Sequence, residues 1–191
     1  MTQGPDDDIA ETLVEGDSYE QAALSVDRMI PLSLGQKIRL AVGTLALSVA
    51  VAPAVLVRRD LARSLEGTAS MSLTLGLVVL NGILTTFLGG LFLVRQQYIV
   101  RNRSLTDQEA QRLVRVEDFF VLAVVLGGGF IAASVALVAV GVFLPDLVEV
   151  LYEYDVNIYS PDDTLGVDIR LISAAGGVLA GVLFGLWRLV E

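Results

Sequence analysis

Four long stretches of the chain carry no charged residue, and the charged residues crowd between them. They cover residues 40–57, bounded by Arg39 and Arg58; 71–94, ending at Arg95; 119–144, between Asp118 and Pro145; and 171–187, between Arg170 and Arg188. A helix crosses a hydrocarbon core about 30 Å thick with roughly 20 apolar residues, so each block predicts one transmembrane helix. The fourth is the shortest and the third is long enough to tilt. A soluble fold must cover its core with polar side chains, and four helices apolar all round would leave too few. The pattern therefore predicts an all-α integral membrane protein, a four-transmembrane-helix bundle with short extramembrane segments. Residues 35–191 form the bundle and residues 1–34 an acidic segment before it.

Small residues recur at every fourth position inside the blocks. They are Ala46, Ala50 and Ala54 in the first, Gly82, Thr86 and Gly90 in the second, and Gly128, Ala132 and Ala136 in the third. The fourth carries Ser173, Gly177, Gly181 and Gly185 in register. Four-residue spacing keeps side chains on one helix face, and small ones let backbones approach closely where lipid supplies no hydrophobic drive. Gly82, Gly90, Gly128, Ala132, Ser173, Gly177, Gly181 and Gly185 are therefore the expected helix-packing positions, within one chain or between copies. The run Gly127-Gly128-Gly129 lies mid-span without the Gly-Lys-Ser/Thr of a phosphate loop. It is read as close packing or a kink, as Pro53 is read as a bend in the first span.

None of the four blocks contains Asp, Glu, Lys or Arg. Intramembrane ionisable groups mark ion and proton paths, so proton-coupled transport is disfavoured. Asn81 is the candidate intramembrane polar residue, expected to make an interhelical hydrogen bond; lining a pore is its competing role. Lys and Arg set the orientation. With a cytoplasmic N-terminus, the inner segments hold Arg28, Lys37, Arg39, Arg95, Arg101, Arg103, Arg112, Arg115 and Arg188, and the outer ones Arg58, Arg59, Arg63 and Arg170. Both termini are thus expected on the cytoplasmic side of the cell membrane, and the sequon at Asn102 is read as a chance match.

Outside the spans, three segments carry signals. Residues 18–30 place Tyr19, Ala22, Ala23, Val26, Met29 and Ile30 at helical spacing, as a helix docking on a partner or on the membrane surface, or as a frayed, solvated tail. Neither a basic patch nor a prompt apolar run opens the chain, so no secretory signal is expected there. Thr106-Asp107-Gln108-Glu109 fits a capping box, predicting a helix that runs unbroken into the third span, with Glu109 pairing to Arg112. Residues 145–170 hold seven acids among three tyrosines, Tyr152, Tyr154 and Tyr159. Residues 148–154 read as a short strand or an amphipathic turn, and Ser160-Pro161 as a helix start. The acids lack the spacing of a calcium loop and are read as a solvated face.

The composition narrows the chemistry. Twenty-two acids against thirteen bases give a net charge of −9, which argues against nucleic acid. Lys37 is the only lysine, and the acidic, arginine-biased composition is halophilic-like. No cysteine or histidine is present, which removes disulfides, Cys/His zinc sites and His-ligated haem. With no catalytic, metal or cofactor-binding constellation, the expected function is that of a non-catalytic accessory or structural component of a membrane complex. Its expected partners are the bilayer and either copies of itself or other membrane proteins. A small oligomeric transporter or channel is the alternative.

Overall fold

The computed structural model describes residues 18–26, 30–50, 70–154, 158–159 and 166–191. In chain order these form α1 (Ser18–Ser25), α2 (Leu34–Leu47) with a 3-10 turn over Ser48–Ala50, and β1 (Ser70–Ser72). They continue with α3 (Leu73–Asn102), α4 (Asp107–Phe143), α5 (Pro145–Glu153), β2 (Gly166–Asp168) and α6 (Ile169–Val190). Three helices are long and apolar enough to cross a membrane: α3, α4 and α6. They make this an α-helical membrane protein. The expected count of four spans is not reached among the described residues. The first block appears as the 14-residue α2 and its 3-10 turn, and residues 51–57, with Pro53, lie outside the described residues.

Caps fix where the helices begin. Thr106 and Glu109 form the expected capping box, the Thr106 hydroxyl accepting from Glu109 N and the Glu109 carboxylate from Thr106 N. From there α4 runs 37 residues without a break, about 55 Å at 1.5 Å per residue, so it must project well beyond a bilayer. Glu109 pairs with Arg103 at 2.9 Å instead of Arg112, because the α3–α4 turn brings Arg103 across its front. A second capping box, Ser33 with Gln36, starts α2 at Leu34. That places Lys37 and Arg39 inside a helix that the apolar block alone would begin later. Residues 148–153 are helical, within α5, and Tyr154 is a turn residue after it. Pro145 opens α5 as its first residue, where a fixed φ and a missing N–H cost nothing.

The bundle packs through glycines. A Cβ at Gly82 would stand 2.8 Å from the Gly127 carbonyl oxygen, and one at Gly127 2.7 Å from that of Gly82, so α3 and α4 cross backbone to backbone. Gly128 abuts Thr44 of α2, and Gly90 abuts both Ala41 of α2 and Leu183 of α6. Gly176 of α6 takes the Ser48 side chain against its backbone, and Ser173 Oγ donates to the Ser48 carbonyl at 3.3 Å. Around these crossings Ile38, Leu45, Ile83, Leu93, Val121, Ile131 and Ile172 are buried, as dispersion between packed helices requires.

Each end of the bundle is closed differently. At one end β1 and β2 pair antiparallel, Met71 opposite Val167, and Ser72 N donates to Ile158 O at 2.9 Å. This short ladder is an addition to the all-α expectation. Its Val167 side chain sits against Gly76, and Tyr159 Oη donates to Val138 O at 3.0 Å. At the other end, α3 and α4 project as a hairpin. Helix α1 folds onto it, joining Tyr19, Ala22 and Ala23 to Leu105, Ala110 and Val114. Of the helix expected over residues 18–30, Ser18–Ser25 is helical and packs on its own chain; residues 27–29 lie outside the described residues.

Candidate functional site

The α4 positions Ala110, Val114, Glu117, Val121, Val124, Gly128 and Ile131 follow the alternating four- and three-residue steps of one helix face, which Val138 continues seven residues on, and all are buried. Glu117 therefore sits on the packing stripe as if it were apolar. Its side chain is 1% exposed and meets Lys37 of α2, which is 0% exposed, at 2.7 Å between Nζ and Oε1. Asp118 Oδ1 lies 3.6 Å from the same ammonium. Tyr19 of α1 donates its hydroxyl to the other Glu117 oxygen. Three elements far apart in sequence thus converge on one carboxylate.

The level of this cluster follows from the helix crossings. Gly90 lies beside Ala41 and Leu183, so one turn further on, Lys37, Val94 and Trp187 share a height. Arg39, Arg95, Arg115 and Arg188 are exposed around it, and guanidiniums of this kind mark a membrane–water interface. Glu117 stands about 16 Å along α4 from Thr106, beneath the projecting hairpin and α1. The ion pair therefore occupies the last turn of the apolar layer, sealed from water by Tyr19 and its helix.

Buried charge is tolerated only when paired. Here Glu117 receives donors on both oxygens, which offsets desolvation, while removing either partner would strand a charge in a dry site. Such a pair acts as a register key: it admits one vertical setting of α2 against α4. Among the described residues no group of three or more carboxylates gathers in a way that could hold a metal. The segment with Ser160, Pro161, Asp162 and Asp163 lies outside the described residues.

The sequence-derived candidates separate into two sets. Gly82, Gly90 and Gly128 sit in close helix crossings, and Ser173 bonds across to α2. Gly177 is half-buried against Val49. Ala132 is exposed, and Gly181 and Gly185 face open space. In α6 the crossing falls on Gly176, one residue away from the four-residue series. Of the glycine triplet, Gly127 and Gly128 are packed and Gly129 is open. Asn81 is exposed on α3, its Oδ1 accepting from Thr85 Oγ1 at 3.1 Å, so its bond stays within one helix. Asn102 donates its side-chain amide to Tyr98 O at 2.9 Å.

Lys37, Glu117 and Asp118 were not among the candidate site residues, because charge marked the edges of the apolar blocks and so excluded them by construction; Tyr19 entered only as one position of the helix read over residues 18–30. The signal that finds Glu117 is its place on the stripe between Val114 and Val121. No protein-family model, curated protein or solved structure matches this chain.

Proposed function

We propose that this chain is a non-catalytic structural or accessory component of a membrane complex, and that it offers the outer face of α6 to a neighbouring helix. The observation that supports this reading is the open stripe of Gly181 and Gly185, continuing from Gly177, between exposed Val178, Val182 and Leu189. The same chain uses glycine at its internal crossings for backbone approach, and small residues four apart serve this purpose between membrane helices generally. In this reading the block 40–57 is the fourth span and both termini lie on the cytoplasmic side of the cell membrane. The positive charges around the Lys37 end favour that side.

The test is purification in nanodiscs or mild detergent, with mass determination and identification of co-eluting chains, for the wild type and for Gly181→Leu/Gly185→Leu. The open space beside both glycines means the variant should fold. Loss of a stoichiometric foreign partner in the variant supports an accessory subunit. A homo-oligomer that carries solute flux, with flux lost in Asn81→Leu, would replace this reading with that of a small transporter or channel. A monomer indifferent to the substitutions would remove α6 as a docking face.

A further inference from the structure

We propose that the groove between α2 and α6 at the Lys37 end binds the headgroup and upper acyl chain of an anionic phospholipid. The groove encloses about 390 Å³ and is lined by Arg39, Val42, Gly43, Phe184, Trp187 and Arg188. Its lining is ordered as a lipid is. Arg39 and Arg188 stand at the interface, while Gly43 and Phe184 lie one helical turn deeper, toward the middle of the apolar layer. Gly43 has nothing within 4 Å of where a Cβ would be, so the groove is open at that depth.

The headgroup end is built from cations on an indole. The Arg39 guanidinium lies 5.2 Å and that of Arg188 5.5 Å from the Trp187 ring centre. Two like charges sharing one ring at a low-dielectric boundary repel each other, and an anion between them relieves that repulsion. Arg188 is already bridged to Glu191 at 2.8 Å, whereas Arg39 meets no carboxylate among the described residues. Trp187 is 5% exposed, and its buried indole N–H has no acceptor there. Basic pockets between helices at the membrane edge recognise anionic headgroups by their charge, and Arg39 supplies an unshared one.

Trp187 is the only tryptophan in the chain, so its emission reports on this groove alone. The experiment titrates the full chain in mild detergent with chain-brominated phosphatidylglycerol, with chain-brominated phosphatidylcholine, and with inorganic phosphate. Bromine on a bound chain quenches Trp187. We expect saturable quenching by phosphatidylglycerol at a concentration about fivefold lower than by phosphatidylcholine, the effect of one unshared guanidinium near the surface. Arg39→Gln should bring the two lipids together, while Arg39→Lys should keep part of the preference and high salt should weaken it. Equal quenching by both lipids, or a preference unchanged in Arg39→Gln, would overturn the proposal. So would inorganic phosphate displacing the brominated lipid at equal concentration, which would make the site one for a free anion.

Discussion

The two ends of the bundle face the same problem and solve it with different parts of the chain. At the β1–β2 end, loops meet through backbone hydrogen bonds, Met71 opposite Val167 and Ser72 N to Ile158 O. At the Lys37 end, the seal is made of side chains: Tyr19, Lys37, Glu117 and Asp118 from three helices. Backbone pairing is generic, since almost any residue supplies an N–H and a carbonyl. A buried ion pair is specific, because only one register satisfies it and a missing partner is costly. The fold is therefore expected to be tolerant at one end and brittle at the other.

The largest break in that contrast should come from Lys37→Met, which strands Glu117 in a dry site. A loss of about 3–5 kcal/mol is expected, read as a fall in melting temperature in detergent. Next is the helix crossing between the ends. Gly176→Leu pushes a side chain into Ser48 and should cost about 1–3 kcal/mol. Gly181→Leu, five residues along the same helix and facing open space, should stay within about 0.5 kcal/mol. Equal effects of the two leucines would mean that α6 is rotated from the orientation described.

Smaller effects sharpen the comparison. Tyr19→Phe removes one donor from Glu117 and should cost about 1.5 kcal/mol. Hydrogen exchange should quicken in α1 while α3 and α6 stay protected. At the tolerant end, Ser72→Ala loses the side-chain cap on Leu75 N and should cost about 1 kcal/mol at most. A loss at Ser72 larger than that at Lys37 would reverse the assignment of brittle and tolerant ends.

The sequence shows much of this architecture and hides the rest for physical reasons. The apolar blocks at 71–94, 119–144 and 171–187 and the Thr106–Glu109 box are local signals, and the helices they announce are present; the block at 40–57 is described only as far as residue 50. The start of α2 at Leu34 was obscured because Lys37 and Arg39 interrupt hydropathy while Ser33 and Gln36 still cap the helix. Three-residue strands such as Ser70–Ser72 and Gly166–Asp168 carry no periodicity to read, and their partners lie far apart in the chain. In α6 small residues stand at both 176 and 177, so spacing alone cannot choose the buried face. Contacts with Ser48 and Val49 make that choice.

Glu117 teaches the same point from the other side. Its position on the stripe of Val114, Val121 and Val124 is legible, but its partner is not, since Lys37 belongs to another helix and lies eighty residues away. Pairing is a property of the assembled bundle. What the sequence does offer is that a lone lysine beside an apolar block merits the same scrutiny as a charge within it.

The most direct test of the account is a double-mutant cycle on Lys37 and Glu117, using Lys37→Met, Glu117→Met and the double variant, with unfolding measured in detergent or nanodiscs. Each single substitution should be strongly destabilising and the double should recover much of the loss, giving a coupling of about 2–3 kcal/mol. Additive losses, within about 0.5 kcal/mol, would mean that the two side chains do not meet and would contradict the buried ion pair on which this end of the fold rests.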